Sequence, residues 1–170
     1  MKKRITIILF FLFISSPILF AQDAKEFFKE GQKDYKFLRY KEAIDNYTKA
    51  IALDTNYVIA YIQRAFCKGM IKDFAAAIED YNVALKIDPK HKFAYISRGS
   101  AKNKTGDYQS AIDDFNKALE LDPSDQEAFN NRGFSKKGLN DTKGACEDWN
   151  KSKQMGNEEA KIILKNNRCK

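Results

Sequence analysis

From residue 24 onward, apolar positions recur at steps of three and four, first over roughly 13 residues and then, after a break, over roughly another 13. Steps of three and four mark one face of an α-helix, so the pattern predicts pairs of short amphipathic helices. The breaks within pairs carry turn residues, as in Thr105-Gly106-Asp107 and Leu139-Asn140-Asp141. Asp88-Pro89 and Asp122-Pro123 close second helices, because the residue before proline is pushed out of the helical region. The pairs also recur. Tyr47, Tyr81, Phe115 and Trp149 are spaced by 34 residues without slippage, and Ala43, Ala77, Ala111 and Ala145 keep the same step. So do the aromatics Phe27, Tyr61, Tyr95 and Phe129, and the small residues Gly31, Ala65, Gly99 and Gly133. The units are 24–57, 58–91, 92–125 and 126–159, with no gap needed. Gly99 and Ala111 let two helices approach closely, and Tyr95 and Phe115 fill the space beside them. One hairpin cannot bury its apolar face alone, so neighbours must stack. The expected fold is all-α, a stack of helical hairpins. After the last unit, 158–168 carries Ile162, Ile163 and Leu164 and reads as a capping helix.

The first residues follow another pattern. Lys2, Lys3 and Arg4 precede an apolar run over Ile5–Ile14, Ser15-Ser16-Pro17 breaks it, and Ala21 offers a small residue for cleavage. This is the layout of a secretory signal over 1–21, which leaves 22–170 as the mature domain, exported to a periplasm and not membrane-spanning. The competing expectation is an uncleaved anchor: 5–21 is short for a span and is interrupted by Ser-Ser-Pro.

That reading changes the charge. The chain carries 30 Lys+Arg against 23 Asp+Glu, a formal +7. Without the first three cations the balance is 27 against 23, and the +4 surplus falls on 126–170. A surplus confined to one end argues against nucleic acid as a partner. No phosphate loop, nucleophile motif or metal-ligand spacing is present, so no enzyme, cofactor, metal or small-molecule substrate is expected. His91, the only histidine, reads as a surface residue in a turn.

A second regularity runs through units 2 to 4. Arg64, Arg98 and Arg132 each precede the small residue of a first helix, and Asp80, Asp114 and Asp148 each precede the aromatic of a second. Lys68, Lys102 and Lys136 follow the arginines by one turn. Unit 1 has Glu30, Asp34 and Asn46 at the three places, so these residues appear and vanish together. Arg–Asp pairs joining helices are expected, since the guanidinium fork suits a partly buried carboxylate. Of three cysteines, Cys67 reads as a buried thiol. Cys146 and Cys169 would meet if the cap runs antiparallel, as a disulfide or as two buried thiols.

The recurring pattern resembles the tetratricopeptide repeat, carried by Tyr95, Gly99, Gly106-Asp107-Tyr108, Ala111, Phe115, Ala118 and Pro123. Thr55 and Gly156-Asn157 depart from the closing proline at the two end units. The resemblance implies a right-handed superhelical stack with a concave groove lined by first helices. In that groove it places Phe28, Tyr35 and Lys36 with Gln32, then Ile59, Ile62, Phe66 and Met70. Unit 3 contributes Phe93, Ile96, Asn103 and Lys104 with Ser100, and unit 4 contributes Asn130, Phe134 and Lys137. It implies a non-enzymatic scaffold that binds a protein or peptide segment, or alternatively a structural subunit of a larger envelope assembly. A clamp for chaperone C-termini, used by some members, needs Lys and Asn where this chain has Phe28, Gln32 and Phe93.

Overall fold

The computed structural model describes residues 17–167 and Cys169, with side chains from Asp23 onward. Of the expected signal, 1–16 lies outside the described residues, as does Arg168 at the expected end of the cap. The described residues form helices and turns without a strand: α1 (Pro17–Lys36), α2 (Tyr40–Leu53), α3 (Val58–Met70), α4 (Phe74–Ile87), α5 (Lys92–Thr105), α6 (Tyr108–Leu121), α7 (Gln126–Gly138), α8 (Thr142–Gln154) and α9 (Glu158–Asn166). Successive helices pack on one another throughout, and the first helices α3, α5 and α7 also touch their counterparts in neighbouring hairpins.

Side-chain caps set the helix starts. Asp73, Asp107 and Asp141 hold one register, and each accepts a hydrogen bond from the amide three residues on, at Ala76, Ser110 and Gly144. His91, expected only at the surface, is half-buried and caps α5, its Nδ1 accepting from the Ala94 amide at 3.3 Å. The turns between hairpins are held by Asp54, Asp88 and Asp122, whose carboxylates accept from the amides of Asn56, Lys90 and Ser124. Unit 1 therefore keeps the same turn with Thr55 in place of proline. Within hairpins, Leu38, Lys72, Gly106 and Asn140 share one register, and all have positive φ, between 59° and 84°. Only the glycine adopts that conformation without a steric cost.

The core follows the 34-residue register. Tyr47, Phe115 and Trp149 are fully buried, and Tyr81 nearly so. Their rings lie against the small residues of the first helices. A Cβ added at Gly31, Gly99 or Gly133 would come within 2.6, 2.9 or 2.5 Å of Tyr47, Phe115 or Trp149. The glycines thus set how closely each hairpin closes.

Candidate functional site

A repeated ion cluster links the two helices of each of the last three hairpins. Arg64 donates to Asp80 from Nε at 2.8 Å and Nη2 at 2.7 Å, and Lys68 Nζ lies 2.8 Å from the same carboxylate. Arg98 with Lys102 holds Asp114, and Arg132 with Lys136 holds Asp148, with the same geometry. All three aspartates are buried. The remaining Nη1 of each arginine reaches back to the preceding hairpin: to Thr48 at 3.0 Å, Asn82 at 2.8 Å and Asn116 at 2.6 Å. Each guanidinium also lies over the aromatic three residues earlier, Tyr61, Tyr95 or Phe129. One arginine therefore ties its own hairpin shut and fastens it to its neighbour. Unit 1 reverses the charges. Asp34, at the register of Lys68, accepts from Asn46 at 2.8 Å and from Arg39. Arg39 occupies the register of the capping aspartates, and α2 accordingly has no side-chain cap.

At the far end, Cys146 and Cys169 form a disulfide, with Cα atoms 5.6 Å apart, that tethers the chain after α9 to α8. Cys67 is a free, buried thiol, and burial pushes its pKa up to about 11. It is protonated at neutral pH and chemically quiet. Among the described residues no cluster of His, Cys, Asp or Glu could hold a metal ion.

The first helices present an apolar wall. Ile59, Phe66, Met70, Phe93 and Phe134 are exposed, and Tyr35 packs edge-on against Phe66 with ring centres 5.8 Å apart. Between α3 and α5 the wall opens into a pocket of about 220 Å³. Ala65, Phe66, Gly69 and Met70 form one side, Ser97, Ser100, Ala101 and Lys104 the other, and Phe74, Ala77 and Tyr81 of α4 form the floor. Glu127 of α7 stands at the edge. Lys36 and Lys104 are exposed, and neither pairs with a carboxylate among the described residues. Lys137 donates to Asn167 at the end of α9.

Four expected groove residues share one register, Phe28, Ile62, Ile96 and Asn130, and that register turns away from the wall. Phe28, Ile96 and Asn130 are buried, and Ile62 is half-buried. The next part of the stack, a turn, a hairpin or the cap, covers them. Phe28 packs 4.9 Å from the Tyr57 ring, Ile96 joins Ala128 and Phe129, and the Asn130 amide donates to Glu159 of α9 at 3.4 Å. Asn103 is also committed internally, donating to the Asn131 carbonyl and accepting from Ser135. The sequence reading missed Phe74 and Tyr81, which come from a second helix. It also missed Glu127, although that residue lies one repeat after Phe93 in the register of Ile59.

Comparison with known proteins extends this geometry. The family profile described as tetratricopeptide repeat matches residues 93–125. No curated protein sequence matches the chain. Among solved structures, the first such domain of Spaghetti (RPAP3) bound to the HSP90 peptide SRMEEVD is 32% identical, with a TM-score of 0.69, covering 71% of this chain and 95% of that one. The second domain of human RPAP3 in complex with the HSP70 peptide SGPTIEEVD is 27% identical, with a TM-score of 0.65, covering 71% and 98%. MamA shares the fold at 22% identity and a TM-score of 0.76, covering 82% and 81%. A recurring hairpin, an in-phase small–aromatic core and 32% identity across nearly all of a solved domain lead to one conclusion: the chain belongs to the tetratricopeptide-repeat family.

Proposed function

We propose that this chain is a non-enzymatic scaffold, exported to the cell envelope, that holds a peptide or protein segment against the wall formed by α3, α5 and α7. In this reading 22–170 is one domain and its four hairpins, 24–57 to 126–159, are four repeats closed by α9. The observation that carries it is the pocket between α3 and α5. Exposed Phe66 and Met70 flank it, its floor is apolar, and Lys104 stands at its rim. An apolar recess beside an unpaired cation suits a segment with one bulky apolar side chain and a nearby carboxylate. The ion clusters hold the wall in place before any partner arrives, so little ordering cost falls on the scaffold. Two of the similar solved domains hold peptides, which supports the same use of this wall. Phe28 is buried and Phe93 is uncharged, so the basic clamp for chaperone C-termini has no counterpart at these places.

Phe66→Glu puts a charge at the pocket mouth and gives up the edge contact with Tyr35 while leaving the buried core residues in place. Affinity capture from native envelope extract should therefore lose its specific partner while the far-ultraviolet dichroism stays unchanged. Undiminished capture by this variant would remove the groove reading and favour assembly through helix faces or termini. Ile62→Glu is not an equivalent test, because that side chain points into the stack. The export reading predicts secreted material that begins after Ala21, and amino-terminal sequencing that returned Met1 would overturn it.

A further inference from the structure

The edge of the stack formed by the turns inside hairpins has a property that the wall does not explain. In the first hairpin Phe37 is 67% exposed and Leu38 69%, more than any other large apolar side chain among the described residues. Leu38 also has φ of 59°, the backbone conformation that Gly106 adopts freely at the same register two repeats later. A leucine here costs stability twice, through backbone strain and through apolar surface left in water. The repeat translation places the turn of the second hairpin beside it, and there Ile71 is exposed as well. Lys36 and Lys72 flank these side chains, and neither pairs with a carboxylate among the described residues. Arg39 neutralises Asp34 and lies 5.3 Å from the Phe37 ring, which fixes the tip. The opposite edge differs. Its turns hold Asp54, Asp88, Asp122 and Asp125 against Lys90 and Lys92, with Lys92 tied to the last two, whereas the first two turns inside hairpins set Asp73 against Lys36 and Lys72.

We propose that the turn edge of the first two hairpins docks on an anionic lipid surface, with Phe37, Leu38 and Ile71 entering the headgroup boundary and Lys36 and Lys72 meeting acidic headgroups. The tip is apolar, with Lys36 and Lys72 beside it and Asp73 engaged in capping α4. A fluid bilayer can close around such a tip, whereas a protein partner would have to supply a matching cavity. Lysine stems extend along the apolar contact while their charges stay at the headgroups. The acidic opposite edge points away, so the molecule docks in one orientation and leaves its peptide-binding wall open to solvent. The peptide-binding reading is not needed for this surface to act.

The test uses the full chain carrying Phe37→Trp as a reporter, since the native Trp149 is fully buried. Vesicles of equal parts phosphatidylglycerol and brominated phosphatidylcholine should shift the reporter's emission to the blue and quench it. The 20 residues of α1 separate its ends by about 30 Å, so a chain held only by its amino-terminal run would keep the reporter away from the bromines. Adding Leu38→Gly should weaken vesicle binding several-fold while raising the thermal midpoint, because the strain is relieved. Adding Lys36→Glu with Lys72→Glu should abolish the dependence on phosphatidylglycerol. The proposal is overturned if the reporter at residue 37 is unquenched. Equal quenching of Ser124→Trp on the opposite edge, or equal quenching without phosphatidylglycerol, would overturn it too.

Discussion

Asp114→Ala is expected to lower the stability of the stack by about 3–5 kcal/mol, read as a shift of the urea midpoint at unchanged slope. The carboxylate is 3% exposed and receives two hydrogen bonds from Arg98 and an ion pair from Lys102. Removing it leaves two cations facing each other in a site that water scarcely reaches. Lys102 retains only a long contact to the Ser110 carbonyl, at 3.4 Å, and Arg98 retains Asn82. Arg98→Ala should cost less, because Lys102 still neutralises Asp114, but it also cuts the tie to the preceding hairpin. Lys102→Ala should cost least. A ranking with Lys102 first would show that the arginine fork is not the organising contact. Because each hairpin touches only its neighbours, the loss should spread to the adjoining units and weaken the pocket between α3 and α5.

This cluster was legible in the sequence because Arg, Lys and Asp are all replaced in one unit and all present in three. The third arm of each arginine was not recognised, yet its signal was available: Thr48, Asn82 and Asn116 are polar side chains one repeat apart, each 16 residues before an arginine. What replaces the cluster in unit 1 was less accessible, since Arg39 acts from a turn register where the other units carry a capping aspartate. The groove was legible only in part. Helical periodicity shows which residues share a stripe, but not how far the next hairpin rolls over it. Phe66 and Met70 stay open while Phe28 and Ile96, only a turn or so away around the same kind of helix, are covered. The pocket floor was hidden for a related reason. Tyr81 belongs to the core register, and nothing in its spacing shows that α3 and α5 leave a recess above it.

Trp149→Ala is the second large effect, also expected at about 3–5 kcal/mol. The ring is fully buried, its Nε1 donates to the Asn130 carbonyl at 3.1 Å, and it packs edge-to-face with Phe134, ring centres 5.5 Å apart. It also underlies the cap, since Ile163 and Leu164 of α9 belong to the same cluster. The loss should therefore fall on the last hairpin and α9, with the disulfide to Cys169 keeping the loosened cap attached. Dichroism at the helical band during urea unfolding would show an early partial transition. The same site supports a sharper companion experiment. Gly133→Ala alone places a Cβ at 2.5 Å from the indole and should destabilise, because neither the ring nor the backbone can yield easily. Unit 2 shows the compatible combination, Ala65 beneath Tyr81, both buried. Gly133→Ala combined with Trp149→Tyr should therefore cost less than the sum of the two changes made singly. Additive losses would mean that helix approach in the last hairpin is set elsewhere, and that the small–aromatic register is a marker of the repeat and not its spacer.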